Sequence, residues 1–221
     1  MLVAFGCGTD DRAFKSNISE GIIEYQVTYP ELDSDNIMLE MLPSKMVMKF
    51  KDNKYKSKLE TTAGIVEMSV MADYETQKMY NLVKIFSDRY ALELDKDAAI
   101  ALTNKLPQFD LVFKDDAMKI ADANCQKAEL DFGGNRENYV FYYTDEIDLK
   151  NPNWCTPYNG IEGVLLDYRI ENYGMNMHLR ATRIVPQVID DSEFEITDDY
   201  EFLSPLEFDK LVVKNMEIFM E

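Results

Sequence analysis

Between Gly21 and Leu94 the apolar positions recur at every second residue, the period of strands with one face buried. In GIIEYQVTYP, Ile23, Tyr25, Val27 and Tyr29 share a face. KMVMKFKDNKYKSKLE folds back at Asp52-Asn53, a pair suited to a two-residue hairpin turn. That turn sets Phe50 opposite Tyr55 and Met46 opposite Leu59. GIVEMSVMADYETQ, KMYNLVKIF and RYALEL follow, parted by polar turns at Asp73-Tyr74 and Ser87-Asp88. The pattern predicts an antiparallel meander and not a βαβ series.

The period changes at Asp95. The stretch 95–106 (DKDAAIALTNKL) reads as a helix with acids in its first turn and Pro107 behind it. Short strands return with FDLVF, CQKAELDF and NYVFYYTDEI, the last two joined by a turn at Gly133-Gly134. In the hairpin over 163–185, a turn at Tyr173-Gly174 pairs Ile170 with Met177, Tyr168 with Leu179 and Leu166 with Ala181. On the other face Asp167 then meets Arg180 and Arg169 meets His178. A slip of one residue would mix the faces, so the register is well specified. Ser204-Pro205-Leu206-Glu207 is a capping box with proline at the first helical position, and Leu211, Val212, Met216 and Phe219 continue it as an apolar stripe. The expectation is one α+β domain over 19–221, a strongly curved antiparallel sheet whose concave face is covered by two main helices.

Composition narrows the function. With 41 acidic and 23 basic residues the formal charge is −18, a field of the wrong sign for nucleic acid. An anionic bilayer would likewise repel the body of the domain. A single histidine, His178, removes most hydrolase constellations, and alternation places it on a polar strand face beside Arg169. An enzyme would need Cys125 or Cys155 brought beside His178 with a carboxylate behind it. The acid pairs Asp115-Asp116, Asp190-Asp191 and Asp198-Asp199 read as solvated turns. No catalytic residue, metal ligand or cofactor is therefore expected. Cys125 and Cys155 are either core thiols or, in an exported protein, a disulfide closing about thirty residues, worth roughly 3–4 kcal/mol.

The chain has 13 methionines. Met46, Met48, Met68 and Met79 lie with Phe50 in the first half of the sheet, either as core or as the wall of a groove for an acyl chain. Trp154 and Tyr158 sit in the turn-rich NPNWCTPYNG, expected to fold over one sheet edge and to offer a loop surface. Gly160 and Gly163 would let that loop turn through conformations closed to other residues.

Ile120–Ile184 resembles the GLPGLI-type proteins and related domains of unknown function, exported lipoproteins of Bacteroidota. The resemblance is carried by a Cys-X-Lys-Ala strand (Cys125 to Ala128), a Tyr-Thr-acidic-Ile strand (Tyr143 to Ile147) and the glycine-bracketed Gly160-Ile161-Glu162-Gly163 before Val164-Leu165. Phe194 to Phe208 is similar to the group's ending. It implies a half-open barrel like the lipoprotein carriers LolA and LolB, and a place in the outer membrane, periplasmic or surface-facing. With it, Val3-Ala4-Phe5-Gly6-Cys7 reads as the end of a lipoprotein signal, Cys7 as the lipid attachment site, and 1–18 as signal remnant and tether. Two functions follow as expectations: a non-catalytic binding or carrier module for an apolar, acyl-chain-like ligand, or an envelope protein-interaction module with a closed core.

Overall fold

A computed structural model describes residues 17–217, apart from 34, 62–63, 65, 104–106, 135 and 173–174. The expected meander is present as β1 (Glu20–Thr28), β2 (Lys45–Lys51), β3 (Lys54–Glu60), β4 (Val66–Asp73), β5 (Lys78–Ile85) and β6 (Asp88–Asp95). Asp52 and Asn53 take φ of 49° and 60°, which a two-residue turn between twisted strands requires. The turn fixes the register, with Phe50 paired to Tyr55 and Met46 to Leu59 as the sequence predicts.

Helix α1 (Lys96–Thr103) follows, its start capped by Asp95, whose carboxylate accepts from the Ala98 amide at 2.9 Å. A second meander then runs through β7 (Asp110–Ile120), β8 (Ala123–Asp131), β9 (Tyr139–Thr144), β10 (Val164–Asn172) and β11 (Met175–Pro186). β10 and β11 pair as expected, Tyr168 with Leu179, Ile170 with Met177, Asp167 with Arg180 and Arg169 with His178. Their expected turn, Tyr173-Gly174, lies outside the described residues. The first strand of this half is longer than FDLVF predicts. Asp115-Asp116 is no turn but an irregularity within β7, where the register to β8 shifts between Lys114 and Ala117.

β11 pairs antiparallel with β1, joining the two meanders into one open sheet of order β12-β6-β5-β4-β3-β2-β1-β11-β10-β9-β8-β7. β12 (Glu201–Phe202) adds in parallel to β6. Helix α2 (Pro205–Glu217) completes the described chain, and its capping box is formed: the Glu207 amide bonds Ser204 Oγ, and the Ser204 amide bonds the Glu207 carboxylate at 3.0 Å. The sheet is curved enough for the Tyr25 hydroxyl of β1 to reach past β11 and donate to Leu165 O of β10 at 2.9 Å. Asn17 and Ile18, assigned by the sequence to the tether, are already bonded to Asp145 and to Glu146 and Asp148.

The inner face holds the core. Ile23, Tyr25, Met48, Phe50, Leu92 and Leu179 belong to one buried cluster. Ala128, Leu130, Phe141 and Leu165 belong to a second, and Tyr168 packs against both. The two helices cover this face in part: they pack at the β5–β6 end, through Ala99, Phe208 and Val212. The rest is closed by the connection between β9 and β10, whose Trp154, Cys155, Tyr158 and Ile161 are buried.

Candidate functional site

The methionines of the expected groove are core. Met46, Met48 and Phe50 are 3%, 6% and 0% exposed, while Met68 and Met79 pack partly buried against the same cluster. The space beside them is an apolar crevice of about 20 Å³ touching Tyr29, Leu42, Met68, Met175 and Met177, about the size of one water molecule. A packed interior in place of a channel follows from the aromatic side chains that descend on it from the β9–β10 connection.

That connection corrects two further expectations. Trp154 and Tyr158 are 3% and 6% exposed and so form no loop surface. Asn153, itself buried, holds the loop shut by donating to Ile161 O at 2.7 Å and Gly163 O at 2.9 Å. Gly160 and Gly163 do not adopt left-handed backbone; the glycines with positive φ are Gly64, Gly133 and Gly134 among the described residues. Gly163 is needed for closeness instead, since a Cβ there would lie 2.6 Å from Thr144 O. At Gly160 the nearest atom would be a Leu111 methyl at 3.0 Å.

Cys125 and Cys155 are free, buried thiols and not a disulfide. Cys155 Sγ lies 3.6 Å from the Tyr55 hydroxyl and Cys125 Sγ 3.6 Å from Ala123 O. Burial pushes each thiol up to about 11, which keeps it protonated and a poor nucleophile at neutral pH. His178 sits opposite Arg169 in the ladder, but its ring bonds the buried carboxylate of Asp167 at 2.6 Å, and Arg180 bonds the other Asp167 oxygen. The grouping is a buried acid held by an arginine and a histidine ring, with both cysteines engaged elsewhere. Cys7 lies outside the described residues.

The larger depression is on the opposite, outer face, where the sequence offers no motif. After β11 the chain crosses the sheet as a strap over 187–200 before reaching β12 beside β6. Its acids land on cations that alternate with the core residues of β2: Glu193 on Lys49 at 2.6 Å and Asp191 on Lys51 at 2.7 Å. Asp199 bonds Arg89, and Ile189 buries its side chain. Asp190-Asp191 and Asp198-Asp199 are exposed, as solvated turns should be, but Asp191 and Asp199 reach Lys51 and Arg89, far along the chain, so no local signal reveals the strap.

Between strap and sheet runs a groove of about 420 Å³. Phe194, Ile196 and Phe202 form its apolar wall, and Met71 and Tyr80 its floor. Lys54, Asp73, Lys78 and Glu93 line the ledge opposite. Asp73 is occupied in capping its own turn, accepting from the Glu75 and Thr76 amides at 2.9 and 3.2 Å. Lys78 pairs with Glu93 at 2.5 Å. Lys54 has no ion pair among the described residues. The site is amphipathic and open.

No family model matches the chain, and no curated protein matches it. Among solved structures it is similar to PNGF-II in crystals of space group P21, with a TM-score of 0.57 at 14% identity, over 89% of this chain and 34% of that one. PNGF-II in space group C2 gives a TM-score of 0.55 at 13% identity, over 88% of this chain and 33% of that one. The likeness is one of fold, and the chain spans about a third of the length of the protein it matches.

Proposed function

We propose that this chain is a non-catalytic protein-interaction module of the cell envelope, with a closed inner core and its docking surface on the outer face. On this reading the sheet is a half-open barrel in the manner of the LolA and LolB carriers. Its leader ends at a lipid on Cys7 and holds it to the outer membrane. The observation that carries the proposal is the filled inner face, where Met48 and Phe50 are 6% and 0% exposed and the nearest crevice measures about 20 Å³. An acyl chain needs hundreds of cubic ångströms, so what binding capacity there is falls to the groove beside the strap. A fold that recurs as about a third of a longer chain is also in keeping with a module.

Native mass spectrometry of the purified full chain tests this. The expected spectrum shows the polypeptide with any covalent lipid and nothing else. A stoichiometric, non-covalent acyl lipid overturns the reading. It would favour a second one, the acyl-chain carrier, which draws on the methionine lining of that crevice (Met41, Met68, Met175, Met177), side chains flexible enough to part for a ligand.

A further inference from the structure

The strap demonstrates what the outer face accepts. Along Ile189 to Ile196 acidic and apolar residues intermingle: Asp191 and Glu193 meet Lys51 and Lys49, while Ile189 buries and Phe194 and Ile196 turn to the groove. Asp191–Phe194 form one 3-10 turn, capped by the Asp190 carboxylate, so a short turn offers carboxylates to the sheet and hydrocarbon to the groove. The groove alongside presents the same combination a second time. Its wall is apolar, its volume of about 420 Å³ falls within the ~300–1,000 Å³ of ordinary ligand sites, and its charges are unequally satisfied. Asp73 is held by two backbone amides and Glu93 by Lys78, which leaves Lys54 as the charge at the rim with no ion pair among the described residues. The two lysines and two acids of the lining balance, and Lys54, opposite Asp73 in the β3–β4 ladder, is the cation that a ligand anion can still engage next to an apolar side chain.

We propose that this groove docks a short acidic segment of a partner protein, with an aromatic or aliphatic side chain against Phe194, Ile196 and Phe202 and a neighbouring carboxylate on Lys54. The proposal rests on the interaction-module reading and names the chemistry of the partner. One partly exposed ion pair and one buried side chain make a weak contact, with a dissociation constant on the order of 100 μM. Such an affinity suits a contact reinforced by a shared membrane anchor.

The strap supplies its own probe, a synthetic peptide Asp-Asp-Ser-Glu-Phe-Glu-Ile-Thr-Asp copied from 190–198. Titrated into isotope-labelled full chain, it is expected to shift the amides of Lys54, Tyr80 and Phe202 saturably. Lys54→Glu should weaken it at least fivefold, and Phe202→Ser, at a half-exposed position, should weaken it without disturbing the core. Replacing the peptide's phenylalanine by serine should do the same. Three results overturn the proposal: no shifts at millimolar peptide, shifts undiminished in Lys54→Glu, or shifts centred on Lys49 and Lys51, where the peptide would merely be displacing the strap. A fourth is binding that emerges only after Asp10→Asn, Asp11→Asn and Phe14→Ser are introduced, because the chain's own leader would then be the occupant. A peptide that fails to bind leaves the closed core intact, whereas lipid in the core removes the reading on which the proposal rests.

Discussion

The two faces of this sheet are closed by opposite means. The inner face is sealed by aromatic and aliphatic side chains from the β9–β10 connection and the helices, with Trp154, Cys155 and Ile161 at 3%, 0% and 0% exposure. The outer face is crossed by a strap held through the buried Ile189 and ion pairs, with Lys49 and Glu193 about a third exposed, 32% and 38%. Apolar burial is worth roughly 25 cal/mol per Å², while a surface ion pair contributes about 0–1 kcal/mol. The inner seal should therefore carry most of the stability, and the strap less, through its buried Ile189 more than through its ion pairs.

Trp154→Ala breaks the inner seal most severely. It should cost about 3–5 kcal/mol in urea unfolding, by transfer and cavity terms together. A loss under about 1 kcal/mol would show that the connection lies loosely on the sheet. Gly163→Ala comes next, at roughly 1–3 kcal/mol, because its Cβ would meet backbone, Thr144 O at 2.6 Å. Gly160→Ala should cost distinctly less, since the atom in its way is the end of a leucine side chain.

A third test uses pH. Burial raises the Cys155 thiol from 9.0 to about 11, so the folded state keeps a proton that the unfolded state releases. This contribution is fully present below about pH 8.5 and is lost as the pH rises toward 11. It should remove about 1–1.5 kcal/mol between pH 8.5 and 10, a slope that Cys155→Ala reduces while Cys125, also raised to about 11, keeps its own share. The smallest effect is on the outer face: a double-mutant cycle on Lys49 and Glu193 should give at most about 1 kcal/mol of coupling, vanishing in 1 M salt. A coupling of several kcal/mol would make the strap a structural clasp and weaken the contrast between the faces.

The sequence discloses these faces unequally, for physical reasons. Alternation and turn chemistry are local, so Asp52-Asn53 with its positive φ values sets the β2–β3 register, and the Ser204–Glu207 box marks the start of α2 before any packing is known. The β10–β11 register is legible too, because only one alignment keeps Tyr168 and Ile170 on the side of Leu179 and Met177. What escapes is non-local. An Asp-Asp pair reads as a turn whether it ends a strand or, like Asp115-Asp116, interrupts one. A methionine stripe has the same period in a filled core as along an open groove, so Met46 and Met48 carried no sign of which it would be. The buried Trp154 and the strap acids depend on partners far along the chain, Cys155 on Tyr55 and Glu193 on Lys49, and neither pairing has a local signature.

The central claim, that the inner face is closed and binding belongs to the outer one, is tested most directly by titrating the full chain with a fluorescent fatty acid. No saturable, stoichiometric binding is expected, and no change on Met68→Ala. Saturable one-to-one binding at submicromolar concentration, weakened by Met68→Ala and untouched by Phe202→Ser, would contradict it.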